Sequence, residues 1–408
     1  MSPPAPRRAA LAFVLVTVVL DMFAMAMIIP VLPHLILDFE GGNTVSSAGI
    51  MGLFGTAWAL MQFIFSPVLG ALSDRFGRRP VILISNFGMG LDYVLMALAP
   101  SLGWLLVGRI ISGITAASIS TAGAYIADVT PPERRAAGFG LIGLGFGLGF
   151  VLGPSLGGLL GASDPRLPFW VAAGLSLANA TYGYFVLPES LPPERRSPFR
   201  WRGANPVAAM RLLGREGGLA ALAGVSFLSN LAHVVLPSTF VLYAAHRYGW
   251  TAREVGLTLG AVGSAAATVQ GFLVKPIVRA IGERRTMYLG LSCGVVGFAV
   301  YGLATVPAVF LAGIPAMGLW GLTSPAVQGL MTARVGQDEQ GRLQGALSSL
   351  MGVGALIGPL MFTQCFALAI GPLVGLDLPG APFLLASSLL AVGLVLGLWA
   401  GRGPHVVR

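Results

Sequence analysis

Charge is what this chain lacks. Only 10% of its 408 residues are Asp, Glu, Lys or Arg, while 55% are apolar and the mean hydropathy is +0.80. Soluble domains carry about 25% charged and about 45–50% apolar residues, so a water-soluble globular fold is excluded and a bilayer is the expected solvent. Cysteine is nearly absent. Cys293 and Cys365 fall inside apolar runs, where they act as small apolar fillers and form neither a disulfide framework nor a metal pattern. Nucleophile, metal-ligand and nucleotide motifs such as GxxxxGK are missing too, which argues against a membrane enzyme or a nucleotide-driven pump; no cofactor and no metal is expected. The formal net charge of +9 suggests nucleic acid only until its location is considered: the bases lie in short loops rather than in a stripe on a soluble fold, so no nucleic-acid partner is expected.

What the chain has instead is a succession of apolar runs. A bilayer admits only helices or closed barrels, and the alternating pattern of barrel strands is absent. Twelve spans are predicted, centred near Asp21, Leu60, Met89, Thr115, Phe150, Ser176, Ser229, Ala265, Val296, Leu319, Gly354 and Leu390. The first run, 9–32, follows Arg7 and Arg8 as a signal peptide would, but it is long, carries Asp21 and is followed by many more spans; it is expected to be retained. Alternating the loops between the two membrane faces puts 21 of the 25 bases on one side. Arg166, Arg247 and Arg253 fall on the other, and Arg109 lies within a span. The positive-inside rule then makes both termini cytoplasmic, which an even number of spans requires.

The expected fold is all-α, two six-helix bundles: an N-terminal bundle over 1–187, a cytoplasmic linker over 188–215 and a C-terminal bundle over 216–408. The linker has four prolines by Pro198 and a cluster of arginines, and residues 205–215 have the pattern of a short amphipathic helix lying on the headgroups. Internal repetition supports two halves. Gly77 in GRRP and Gly282 in GERR are 205 residues apart, as are the pairs Gly153-Pro154 and Gly358-Pro359; Arg135 with Gly138 recurs as Arg342 with Gly345, offset by 207. Parallel repeats of this kind bind substrate near the midplane between the halves.

Against this apolar background the few charges stand out. The stretch 70–80, GALSDRFGRRP, places Asp74, Arg75, Arg78 and Arg79 between two apolar runs and predicts a tight cytoplasmic turn with Asp74 on its buried side. Three charges fall inside spans: Asp21, Asp92 and Arg109. Intramembrane charges are costly and face the bundle interior. Burial favours the neutral acid and a nearby cation favours the carboxylate, so two acids with one arginine form a set suited to exchanging protons. Helix five carries Gly145, Gly149, Gly153, Gly157 and Gly161, with Pro154 in the row. That spacing keeps glycine on one face and predicts close contact with another helix. Thr130-Pro131-Pro132-Glu133 resembles a capping box that starts this helix.

The turn, with Gly70, Ser73, Asp74, Arg75, Gly77 and Arg78, resembles the signature loop of the major facilitator superfamily. GRIISG at Arg109 resembles the family's helix-four motif, and GLGFVLGPSLGG in helix five resembles the signature associated with exporters of its drug:proton antiporter branch. LDMFAMAMIIPVLPHL, LDYVLMALAP and AGAYIADVT look like stretches of bacterial tetracycline efflux proteins, and the likeness continues more loosely through GERR, the Gln328 region and GRLQGAL. The resemblance implies that Asp21, Asp92 and Arg109 handle protons, that Gly70, Ser73, Asp74, Arg75, Gly77 and Arg78 form a gating loop in which Asp128 pairs with the arginines, and that Gly149, Gly153, Pro154 and Gly157 pack helix five. Substrate contacts are expected at Asp21, Met25, Gln62, Asn230, His233 and Gln328; Met22, Met25 and Met27 would give a soft wall if they face a cavity. Two positions depart from the family. Ala266 stands near the place of its helix-eight histidine, and Gly294 about where it carries a helix-nine acid.

The function expected is proton-coupled export of amphipathic small molecules, tetracycline-like drugs being one candidate class, by a plasma-membrane protein working as a monomer in the lipid bilayer. A proton-coupled symporter or uniporter of a metabolite would share the fold, and the helix-five signature argues against it. A non-transporting receptor or scaffold would have little use for the three intramembrane charges.

Overall fold

A computed structural model of the chain describes residues 5–116, 118–130, 135–196, 217–335 and 340–400. The linker beyond residue 196, the amphipathic stretch 205–215 and Pro131 to Glu133 of the capping box lie outside the described residues. Every long apolar run is helical, because a helix satisfies its own backbone hydrogen bonds without water. The first six passes are α1 (Ala5–Ile28) with α2 (Leu32–Phe39), α3 (Thr44–Phe76), α4 (Arg78–Leu98), α5 (Leu102–Ala116) with α6 (Ser118–Val129), α7 (Arg135–Gly161) and α8 (Leu167–Val186).

The second six begin with α9 (Gly217–His233) and α10 (Val235–Tyr248). There follow α11 (Ala252–Thr268), a π-helical segment (Val269–Leu273) and α12 (Val274–Leu303), in which Gly282, at φ 79° and ψ 159°, breaks the helix and separates the pass that began with α11 from the next one. The series ends with α13 (Pro307–Ala312), α14 (Ile314–Trp320), α15 (Thr323–Thr332), α16 (Gln340–Ile370) and α17 (Ala381–Ala400). Among the described residues nine helical stretches are long and apolar enough to cross a membrane, and one of them, Ala252–Leu303, has 52 residues, enough for two crossings. Ile84, Phe185, Phe272 and Val395 are largely exposed, as side chains facing lipid are.

The helices gather into two compact units. One holds Met1–Gly42, Ala57–Ala204 and Trp250–Gly260; the other holds Asn43–Thr56, Asn205–Gly249 and Ala261–Arg408. In the first, α7 lies against α1 along the glycine row. A Cβ on Gly149 would sit 2.7 Å from the Met22 Cβ, and one on Gly153 2.7 Å from the Ala26 Cβ. Side chains there would force the two helices apart, so glycine is what permits the contact.

Also in the first unit, α4 and α8 run antiparallel, and residues flanking α8 close both ends of α4. The Arg166 guanidinium donates to the Ala97 and Ala99 carbonyls at 3.0 and 2.9 Å, at the C-terminal end of α4. At the other end the Glu189 carboxylate accepts the Arg78 and Arg79 backbone N–H groups at 2.9 and 3.3 Å. A cation at the C-terminus and an anion at the N-terminus both oppose the helix dipole.

The second unit has a different interior. Tyr243, Tyr301, Phe310 and Phe383 form an aromatic cluster in which Tyr301 and Phe310 stack at 3.9 Å between ring centroids. The Tyr243 hydroxyl reaches the Tyr301 and Ala304 carbonyls at 3.2 and 3.3 Å, giving the cluster its polar anchor.

Candidate functional site

Asp21 lies on α1 one turn after Thr17, so the two share a face. Both are buried, with relative exposures of 6% and 3%, and so is Asn179 of α8 at 1%. The Thr17 hydroxyl donates to the Asn179 carbonyl oxygen at 3.2 Å, and the Asn179 amide donates to Asp21 Oδ1 at 3.2 Å. On its other side Asp21 borders a small cavity lined by Met22 and Met25 of α1, Met89 and Tyr93 of α4, and Ser112 and Ala116 of α5. Of the three helix-one methionines, then, Met22 and Met25 reach the cavity. Met27 does not: it is 1% exposed and its backbone lies against Gly157 of α7.

Asp92, next to Tyr93, is 1% exposed. Its carboxylate approaches α5 at Gly108, where a Cβ would stand 3.0 Å from Oδ1. The following residue, Arg109, turns its Nη2 to within 3.5 Å of Met96 Sδ. Both carboxylate oxygens of Asp92 and the Arg109 Nε are buried without a hydrogen-bond partner among the described residues. The two side chains therefore interact through their charges across a gap rather than as a bonded ion pair.

At the charged turn the sequence expectation is corrected in two ways. The turn is a single residue: α3 continues to Phe76 and α4 starts at Arg78, so Ser73, Asp74 and Arg75 are helical. Gly77 makes the reversal at φ 108° and ψ 156°, a region open essentially to glycine alone. A Cβ there would also lie 2.7 Å from the Glu189 carboxyl carbon. The second correction concerns Asp74, whose side chain is 49% exposed rather than buried.

Arg78 is the centre of the group. It meets Asp74 at 2.5 Å, Asp128 at 3.2 Å and the Ser73 hydroxyl at 2.7 Å. The Ser73 hydroxyl also bonds the Gly70 carbonyl at 2.7 Å, and Ser190 donates to Asp128 at 3.1 Å. Arg75 stands outside the group, exposed, with its guanidinium 5.1 Å from the Phe76 ring centroid. Space around Gly70 is open, so that glycine is not required by packing.

The remaining candidates are dispersed. Gln62 is half-buried in the first unit and is not among the residues lining the Asp21 cavity. In the second unit Asn230 donates to the Ser226 carbonyl of its own helix at 2.8 Å. His233 is exposed beside Trp320, with 5.8 Å between ring centroids, and Gln328 is exposed on α15. Trp320 donates through Nε1 to Ser229 at 3.2 Å. Gly294 faces Leu390 and Trp320, which a Cβ would meet at 2.6 and 2.7 Å; an acid at this position has no room. Pro154 lies inside α7 without ending it.

Sequence reasoning missed Thr17, Asn179, Tyr93, Ser112, Glu189 and Ser190. A polar residue within an otherwise apolar run was the available signal for Asn179. Glu189 sat in a stretch whose prolines pointed to a linker.

The comparisons with known proteins agree with this architecture. The chain is 39% identical to a tetracycline resistance protein, class C, of Escherichia coli over 358 residues, 88% of this chain and 90% of that protein. It is 36% identical to the class G protein of Vibrio anguillarum over 366 residues, 89% and 92% of the two chains. Among solved structures, the human organic anion transporter TETRAN superposes with a TM-score of 0.70 at 25% identity, covering 97% of this chain and all of that one. A family model described as Major Facilitator Superfamily matches residues 14–359. With that match running through most of the helical passes of both halves, the chain belongs to the major facilitator superfamily.

Proposed function

We propose that this chain is a proton-coupled efflux transporter that exports amphipathic small molecules, tetracycline-like drugs among them, in exchange for protons. The observation that carries the reading is Asp21: a carboxylate sealed from bulk water, held on one oxygen by Asn179 and bordering a cavity walled by methionines and Tyr93. A group so placed can carry a proton and respond to a molecule entering beside it. Asp92, buried on the neighbouring α4, and Arg109, half-buried on α5, set the electrostatic background against which it exchanges. The names of the relatives support a drug as cargo.

Gly294 and Ala266 narrow the cargo. The second unit lacks the charged pair its relatives' pattern places there, so its share of recognition falls to Asn230, His233 and Gln328 with apolar neighbours, a set suited to neutral or weakly polar parts of a substrate. Arg78 with Asp74, Asp128 and Ser73 acts as a gate: a charge cluster that holds one conformation and must break for turnover. The concentration of bases in one set of loops supports cytoplasmic termini in a bacterial inner membrane, with the protein working as a monomer.

The test uses inverted membrane vesicles from an efflux-deficient host expressing the chain. Tetracycline addition is expected to drive proton release from acidified vesicles, and an imposed pH difference is expected to drive drug accumulation. Accumulation that requires protons to move in the same direction as the drug overturns export in favour of symport. A host whose resistance to a panel of amphipathic drugs is unchanged overturns the cargo class.

A further inference from the structure

The contact that holds Asp21 has a polarity that bears on where its proton sits. Asn179 is buried, and its amide can face a carboxylate with either end, oxygen or nitrogen. Thr17 decides between them: its backbone carbonyl can only accept, so it takes the Asn179 NH₂ group at 3.5 Å, that group also donates to Asp21 Oδ1 at 3.2 Å, and the Asn179 oxygen is left to accept the Thr17 hydroxyl at 3.2 Å. An NH₂ group donates and cannot accept. A proton on Oδ1 would point hydrogen at hydrogen. Oδ2 has no such constraint, because none of the described residues hydrogen-bonds to it while the carboxylate borders the cavity.

We infer that Asn179, oriented by Thr17, is a positioning residue for proton exchange at Asp21, favouring the carboxylate through Oδ1 and confining the mobile proton to Oδ2. The inference rests on the proposed role of Asp21 as proton carrier. Among the described residues no other side chain hydrogen-bonds to Asp21, the Ser112 and Tyr93 hydroxyls lining the cavity without a bond to it. Among the described residues, α7 meets this part of α1 at Gly145 and Gly149. On α6, Tyr125 spends its hydroxyl on the Pro188 carbonyl at 3.0 Å. The charged and titratable groups nearby on α4 and α5 are Tyr93, which lines the cavity, Asp92 and Arg109. Among the described residues neither Asp92 nor Arg109 hydrogen-bonds to Asp21.

The arrangement also explains why a polar pair is kept deep in a helix contact. Thr17 and Asn179 satisfy each other, so an apolar pair of equal shape would serve packing alone as well or better. What an apolar pair cannot do is discriminate between a charged and a neutral Asp21.

The experiment measures substrate-induced proton release from purified, detergent-solubilised protein as a function of pH, with tetracycline as the probe, in wild type, Asn179→Leu, Thr17→Val and Thr17→Ser. Loss of a donor to the carboxylate is expected to move the midpoint of release up by about one pH unit in Asn179→Leu. Thr17→Val, which removes the hydroxyl that holds the Asn179 oxygen, is expected to move it in the same direction, whereas Thr17→Ser keeps the wild-type midpoint. A merely structural role lowers the recovered protein or the amplitude at every pH and leaves the midpoint in place, and that result overturns the inference. If Asn179→Leu cannot be recovered from membranes, Thr17→Val against Thr17→Ser decides. Asp21→Asn separates the two levels: release that survives in it refutes Asp21 as the carrier, while release lost there with unmoved midpoints in the other variants refutes only the role of Asn179.

Discussion

The turns at Gly77 and Gly282 have nearly the same backbone and opposite surroundings. Both glycines adopt a positive φ with ψ near 156–159°, and both start a helix that carries two arginines in its first turns. At Gly77 the space beside the backbone is filled by Glu189, and Arg78 gathers Asp74 and Asp128. Adding the repeat offset of 205 to these positions gives Arg279 for Asp74 and Glu283 for Arg78, so the charges are inverted. Around Gly282 itself the space is open; Glu283 lies against Gly329, and Arg284 bonds Tyr288 at 2.9 Å. The same offset turns Asp21 into Ser226, Asp92 into Gly297 and Arg109 into Ile314. The two turns share a backbone and a glycine, whereas among the described residues the buried carboxylates are found in the first half.

The largest effect that would break this comparison is on coupling. Asp21→Asn is expected to abolish accumulation of substrate driven by a pH difference while sparing some downhill exchange, and Ser226→Ala to leave both near wild type. Equal losses in the two variants, measured as vesicle uptake, would erase the distinction between the halves. A double Asp21→Asn, Asp92→Asn variant that still accumulates substrate would move the coupling away from these acids altogether.

Packing comes next. Gly149→Ala inserts a methyl into the α1 contact and is expected to cost about 1–3 kcal/mol, read as a lower melting temperature in detergent. At the repeat-related Gly354 the nearest atom to a Cβ is 3.8 Å away. There Gly354→Ala gains helix propensity of up to about 1 kcal/mol and clashes with nothing. A Gly149→Ala variant as stable as wild type would show that α1 yields at that point.

The turns themselves give a smaller contrast. Gly77→Ala and Gly282→Ala share a backbone penalty of about 1–3 kcal/mol, to which Gly77→Ala adds displacement of Glu189. Combining Gly77→Ala with Glu189→Ala is expected to cost less than the sum of the two alone, a coupling that a double-mutant cycle reads directly. Strict additivity would place Glu189 elsewhere in solution.

The smallest stability effect falls on the exposed charges. With its side chain half in water, Asp74→Asn should change stability by less than about 1 kcal/mol and yet slow turnover, because a gate acts on conformational balance rather than on folding. Normal export at normal expression would reduce the turn to a topology signal. Glu189→Gln, which keeps an acceptor but loses the charge, should cost about 1 kcal/mol or less.

Much of this was legible in the residues. Apolar runs of bilayer length gave the passes, and the 205-residue offsets gave the repeat. Asp21, Asp92 and Arg109 stood out because a charge in an apolar span is rare and costly. Partnership was not legible. Asp21 meets Asn179 across 158 positions in sequence, and no local pattern encodes such a pairing. Among the described residues Asp92 and Arg109, opposite charges in neighbouring spans, remain without a hydrogen bond to each other: Asp92 stands over Gly108 and Arg109 turns to Met96 Sδ. Asp74 was expected on the buried side of the turn; it is half-exposed because α3 continues as a helix past the apolar run and carries it into the open.

By itself, then, the sequence determined the solvent, the helices, the twofold repeat and which residues are too costly to be idle, since all of these follow from composition and spacing along one chain. Only the tertiary structure decided which oxygen of Asp21 is held, which methionines line its cavity, that Glu189 rather than a loop arginine completes the turn, and that Gly294 leaves no room for an acid. Those are distances between side chains remote in sequence, fixed by how closely glycine-faced helices approach, and the approach is set by the packed unit as a whole.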